Sequence, residues 1–181
     1  MRFSLNLLIL ILGFFCVFSC KDDGNIIDDL GIKRGTIVAK LDGEQFKSTT
    51  AKGSINTIVL LDIFLIAGAE KSTGVDTATL LLWFNILPIG KKIEEKEYNF
   101  VDCDQVADMI CGSVSYGFTD HSVRAGLSHT SGKKHGFSNI NFTSLKYSDG
   151  GYAIGTFSGK IINDNGETIM VTDGKFNVDI K

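Results

Sequence analysis

From Arg34 onward, apolar and polar positions alternate mostly with a period of two, and no window of helical length carries a convincing i, i+3, i+4 stripe. Over Thr36–Leu41, Ile37, Ala39 and Leu41 alternate with Thr36, Val38 and Lys40. The Asp42-Gly43 pair that follows is a strong hairpin signal, and a return strand over 44–51 anchored by Phe46 is expected. Residues 55–69 are apolar almost throughout except for Asp62. That run is too short for a membrane helix and carries a charge near its centre, so strands over 55–61 and 63–70 are expected instead. Over 77–86, Leu80, Leu82 and Phe84 lie on one face and Leu81 and Trp83 on the other, the mark of a central or doubly covered strand. A solvated connector over 91–96 leads to a short strand over 97–101 carrying Tyr98 and Phe100.

The C-terminal third reads most clearly. Extended runs over 138–147, 152–162 and 167–181 are separated by SDGG and NDNG, whose residues accept positive φ. Phe176, Val178 and Ile180 alternate with Lys175, Asn177, Asp179 and Lys181, and Asp173-Gly174 predicts a bulge or kink before them. Roughly eight to ten strands at this spacing predict an all-β fold, an antiparallel β-sandwich with a β-barrel as the alternative.

The amino terminus differs in kind. Arg2, an apolar run over 5–18 and Ser19 before Cys20 form a secretory signal helix that is cleaved, rather than a transmembrane anchor. With cysteine first after the cut, the pattern resembles a bacterial lipoprotein signal, although Val17 and Phe18 stand where such boxes usually carry Leu and a small residue. The resemblance implies lipid on the sulfur and amino group of Cys20. Lys21, Asp22 and Asp23 resemble the surface-export signal of Bacteroidota lipoproteins, which implies an outer-membrane lipoprotein facing the cell exterior. Each buried methylene contributes about 0.8 kcal/mol, and the two or three chains implied give lasting attachment where one would not. The expected organisation is a signal peptide over 1–19, a lipidated cysteine and flexible acidic tether over 20–33, and one β domain over 34–181. Within the tether, Ile26, Ile27 and Leu30 could instead form a helical turn packed on the domain.

Three segments, IVAKLDGEQFKST, GKKIEEKEYNF and YAIGTFSGKIINDNGETIMVTDGKFNV, resemble a family of uncharacterised Bacteroidota lipoproteins of this size. The strongest elements are GTFSG, residues 155–159, and TDGKF, residues 172–176. The resemblance implies export and a β fold, and it supplies no activity. Residues 103–135 depart most from the family and are where a private function could sit.

Charge and chemistry narrow the function. The chain has 18 basic and 21 acidic residues and a formal charge of −3, with no basic stripe, which argues against nucleic acid. Cys16 leaves with the signal, and Cys20 is committed to lipid. In an oxidising compartment Cys103 and Cys111 are expected to form a disulfide, worth about 3 kcal/mol in the chain-entropy model. They lack the CxxC spacing of a redox pair.

His121, His129 and His135 match no zinc spacing, with or without Asp120, and read as loop histidines. Asp120, His121 and Ser122 are adjacent, which a catalytic triad cannot be. Asp102, Asp104 and Asp108 lack EF-hand order. No catalytic residue, metal or cofactor is expected, beyond the covalent lipid. Of the aromatics Trp83, Tyr98, Tyr116, Phe118, Tyr147 and Tyr152, most should be core, while an exposed pair could stack on sugar rings. Asp76-Thr77-Ala78 resembles a Bacteroidota O-glycosylation motif, making Thr77 a candidate. Asn141-Phe142-Thr143 matches a eukaryotic sequon but reads better as strand. The expected function is a non-catalytic, membrane-anchored binding module for a glycan or protein partner; the alternative is a structural accessory subunit of an envelope complex.

Overall fold

The computed structural model describes residues 30–58, 61–70, 76–100, 110–120, 126–132 and 135–181. Eleven strands and no helix occur among them: β1 (Thr36–Leu41), β2 (Glu44–Lys47), β3 (Thr50–Ile58), β4 (Leu61–Ala69), β5 (Asp76–Ile86), β6 (Glu97–Phe100), β7 (Ile110–Asp120), β8 (Gly126–Thr130), β9 (Phe137–Lys146), β10 (Tyr152–Ile162) and β11 (Thr168–Asp179). They pair antiparallel into one curled sheet in the order β2-β1-β11-β10-β8-β7-β5-β4-β3, with β9 on β10 and β6 on β9. The fold is therefore all-β, as the alternation predicts.

Curling divides the sheet into two walls. Strands β6, β9, β10, β11, β1 and β2 form one, and β8, β7, β5, β4 and β3 form the other. The walls join where Ile162 of β10 meets Thr130 of β8, and again where Gly53 of β3 bridges Ile180 just past β11. Between them lies a phenylalanine-rich core. Phe64 of β4 and Phe84 of β5 meet Phe142 of β9 at ring separations of 6.1 and 5.4 Å, and Phe142 meets Phe176 of β11 at 5.4 Å. All four rings are fully buried. Each ring removes a large apolar area from water, and the tilted and edge-on contacts among them add to that burial.

Local chemistry explains each reversal. Asp42 and Gly43 both take positive φ, 49° and 89°, which is the geometry of a tight two-residue hairpin between β1 and β2. Ser48 then turns the chain from one wall to the other. Its hydroxyl accepts the Ile37 N–H at 2.7 Å while its own N–H donates to the Ile37 carbonyl at 2.9 Å. The expected single return strand over 44–51 is thus two strands, because β2 pairs with β1 and β3 pairs with β4.

Asp62 does not separate two strands; it lies inside β4. It occupies the inward face with Phe64, Ile66 and Gly68. Burial is tolerated because its carboxylate accepts the Thr57 hydroxyl at 2.6 Å and the Gly90 N–H at 2.9 Å. The Thr57 bond foremost, then the Gly90 bond, hold the carboxyl below its ordinary value of 3.8, against the opposing effect of burial. A depressed folded-state pKa stabilises the fold above the ordinary value, and that contribution is lost as pH falls through the folded one. In urea unfolding, the stability margin of wild type over Asp62→Asn should stay constant from pH 7 to 5 and narrow below about pH 4.

Two strands, β7 and β8, arise within the segment 103–135. β7 pairs with β5 along its whole length, from Ile86↔Ile110 to Asp76↔Asp120. Its alternation is muted by small residues that the core requires: a Cβ on Gly112 would lie 2.6 Å from the Phe100 ring and 2.9 Å from the Phe84 ring. The predicted bulge at Asp173-Gly174 is present. Between Phe157 and Gly159 β10 advances two residues while β11 spends three, from Gly174 to Val171, and β1 shows the same mismatch between Val38 and Lys40. Asp173 carries the positive φ, 52°. A bulge of this kind bends and twists the strand locally.

Candidate ligand groove

On the outer face of the six-strand wall, the register lines side chains up across every strand. One row runs Lys47, Val38, Lys175, Thr156, Asn141 and Glu97, from β2 through β1, β11, β10 and β9 to β6. A second, interrupted at the β11 bulge, places Gln45 beside Lys40, and Ser158 beside Asn139 and Asn99. In the sequence these positions are the polar halves of alternating strands, whose apolar halves face the core.

The face is concave. A cavity of about 810 Å³ is lined by Val38, Lys40, Gln45, Glu97, Asn139, Asn141, Thr156, Ser158, Asp173 and Lys175, with Phe157 and Gly174 beside the bulge. Ile32 closes one side. The segment leading into β1 is held on this face: Lys175 Nζ donates to the Leu30 carbonyl at 2.9 Å, Asn177 Nδ2 to the Ile32 carbonyl at 3.5 Å, and the Thr36 hydroxyl to the Lys33 carbonyl. Arg34 pairs with Asp179, its Nε lying 2.7 Å from the carboxylate. Of the last tether residues, Ile32 lines both this cavity and the one adjoining it, and the Leu30 carbonyl fixes Lys175. A second cavity of about 500 Å³, lined by Gly31, Ile32, Lys33, Thr36, Val38, Gln45 and Lys47, shares Ile32, Val38 and Gln45 with the first.

Within the groove, some polar groups are already oriented. Lys40 Nζ lies 2.9 Å from the Asp173 carboxylate; that hydrogen bond, then the opposed charge, raises the Lys40 pKa and lowers that of Asp173. Asn139 Nδ2 donates to Glu97 at 2.7 Å. A surface of amides, hydroxyls, ammonium groups and carboxylates at strand spacing presents donors and acceptors at intervals of about 4.8 Å. That chemistry suits a ligand with many hydroxyls, and Ile32 and Val38 offer apolar contact for its carbon faces.

Of the described residues singled out from sequence, Asn141 lines the groove and Cys111, Thr77, His129 and His135 do not. Cys20, Lys21, Asp22, Asp23, Cys103, Asp102, Asp104, Asp108, His121 and Ser122 lie outside the described residues, as do the side chains of Asp120 and Phe118. Cys111 is the second residue of β7, opposite Asn85. Thr77 is half-buried on β5 opposite Thr119. His129 lies on β8 opposite Tyr116, and His135 is exposed in a turn at φ 70°. Among the described residues no group of three His, Cys, Asp or Glu could hold a metal ion. Asn141 does lie in a strand.

Among the described residues, these aromatics form no exposed platform. Tyr98 is core, stacked on Phe100 at 5.9 Å. Tyr116 stands edge-on to Phe46, and Tyr152 is half-buried beside the Ser144 hydroxyl. Tyr147 stands edge-on to Phe64, and its buried hydroxyl has no partner among the described residues; burial first, then the Asp62 charge, push its pKa up to about 12. Trp83 is 38% exposed, on the outer face of the opposite wall, with its indole N–H on Asn85. Around it in register lie Leu65, Ile63 and Leu81, half-buried.

The groove residues were missed because each strand shows only that one face is polar, not which strands adjoin. Comparison with protein-family models, with curated proteins and with solved structures finds no match.

Proposed function

We propose that this chain is a lipid-anchored envelope protein whose β domain binds a saccharide, without catalysis, in the outer-face groove of the six-strand wall. One observation carries the reading: in the continuous row from Lys47 to Glu97, polar at every position but Val38, Lys47 lines the smaller cavity and Val38 through Glu97 line the adjoining one of about 810 Å³. Resemblance of the amino terminus to a lipoprotein signal supports attachment through Cys20, with Lys21, Asp22 and Asp23 directing it outward. Cys103 is the proposed partner of Cys111.

A glycan-array screen should find a saccharide ligand, and Asn141→Ala with Thr156→Ala should weaken it roughly tenfold or more while leaving the unfolding midpoint nearly unchanged. Equal binding by wild type and the double variant would remove the groove from the account. For the anchor, Cys20→Ser should abolish lipid labelling and move the protein from the membrane to the soluble fraction. Retention of the variant in the membrane would refute lipid anchoring.

The outer face of β3, β4 and β5 favours a second reading. Ile58 and Trp83 are exposed there, beside half-buried Leu61, Ile63, Leu65 and Leu81. Contiguous exposed apolar side chains suit a protein contact, as in an accessory subunit of an envelope complex. Co-purification of an envelope protein by mild crosslinking, lost in Trp83→Ser, would support it.

A further inference from the structure

We infer that the β1–β2 end of the groove is an anion subsite, so that the saccharide bound there carries carboxylate or phosphate groups; this rests on the groove being the ligand site. Four lysines, Lys33, Lys40, Lys47 and Lys175, line the two adjoining cavities, which share Ile32, Val38 and Gln45. Against them stand two carboxylates. Asp173 is engaged by Lys40 at 2.9 Å, and Glu97 lies at the far end of the row, on β6, bonded to Asn139. Lys175 has its ammonium fixed by the Leu30 carbonyl and shares the charge of Asp173 with Lys40.

Lys33 and Lys47 have no carboxylate within ion-pair distance among the described residues. The Glu70 carboxylate accepts the backbone N–H of Lys47 at 3.0 Å and makes no ion pair with its ammonium. The half of the groove nearest β2 is thus cationic inside a protein of formal charge −3, while the β6 half carries amides, hydroxyls and one carboxylate. Such an asymmetry orients an acidic ligand, drawing its anionic group to the lysines and laying neutral hydroxyls along β10, β9 and β6. A glycan strand fits this arrangement better than a membrane surface does. The site is concave, and Glu97 faces whatever occupies its other end.

The test compares polygalacturonate with its methyl ester, which keeps the sugar backbone and removes the charge, for binding to the full chain. Wild type should bind the acid about tenfold or more tightly than the ester at low salt, with the ratio falling toward one at high salt. Lys33→Gln with Lys47→Gln, both exposed positions, should lose the preference for the acid over the ester. Equal affinity of wild type for both polymers overturns the anion subsite and leaves the saccharide reading standing.

If neither polymer binds, inorganic phosphate titrated against the amide resonances of Lys33, Thr36 and Lys47 separates the two ideas. Shifts there keep the subsite and overturn the saccharide reading; unmoved resonances overturn the subsite. Binding of Cys20→Ser, which lacks the anchor, to phosphatidylglycerol but not phosphatidylcholine vesicles in place of either polymer overturns the glycan in favour of a lipid headgroup.

Discussion

Phe142→Ala is expected to destabilise the domain by about 3–5 kcal/mol, the range for deleting a fully buried phenylalanine. The ring joins both walls. It lies 6.1 Å from Phe64, 5.4 Å from Phe84, 6.1 Å from Tyr98 and 5.4 Å from Phe176, centroid to centroid. Truncation leaves a cavity bounded by four aromatic rings, and rings held on paired strands cannot collapse far into it. Urea unfolding would measure the loss. Phe137→Ala, on the same strand but exposed, is the matched control and should cost within about 0.5 kcal/mol. Similar losses at the two positions would mean that the core does not lie where the ring contacts put it.

Gly155→Ala should be the second most damaging change, although it adds one methyl group. A Cβ there would lie 2.1 Å from the Asn141 carbonyl oxygen and 2.6 Å from the Phe176 ring. Neither neighbour can yield cheaply: the carbonyl belongs to the paired strand β9, and the ring is clamped between Phe142 and Phe157. Overpacking of this kind costs about 1–3 kcal/mol and occasionally more, and a contact with backbone belongs at the upper end. Gly132→Ala is the control, since its Cβ would meet nothing closer than 3.6 Å. Because Gly155 adjoins Thr156, a variant that still folds should also bind groove ligands more weakly.

Much of the architecture was legible from local pattern. The Asp42-Gly43 turn, the extended runs of β9, β10 and β11 and the bulge at Asp173 rest on residue chemistry within a few positions, which sequence displays directly. What escaped depended on partners distant in the chain. β7 hides its period because Gly112 must leave room for Phe84 and Phe100. Asp62 reads as a strand breaker until Thr57 and Gly90 are seen to satisfy it. The Ser48 corner depends on a bond to Ile37, eleven residues back.

The candidate site was less legible still. GTFSG and TDGKF read as fold-making segments, and their glycines are: Gly155, Gly159 and Gly174 each face backbone carbonyls too closely for a side chain. Yet the residues between them, Thr156, Ser158, Asp173 and Lys175, line the groove. Within one strand, alternate residues serve the fold and the surface, and only the non-local register shows that six such surfaces coincide.

The central claim is that ligand binds the polar face of the six-strand wall. Amide resonances followed during titration with a saccharide identified by array test it most directly. The account predicts shifts concentrated at Lys40, Asn139, Asn141, Thr156, Ser158 and Lys175, with Ile63, Leu65 and Trp83 unmoved. Shifts gathered instead around Leu65 and Trp83, with the groove silent, would contradict it.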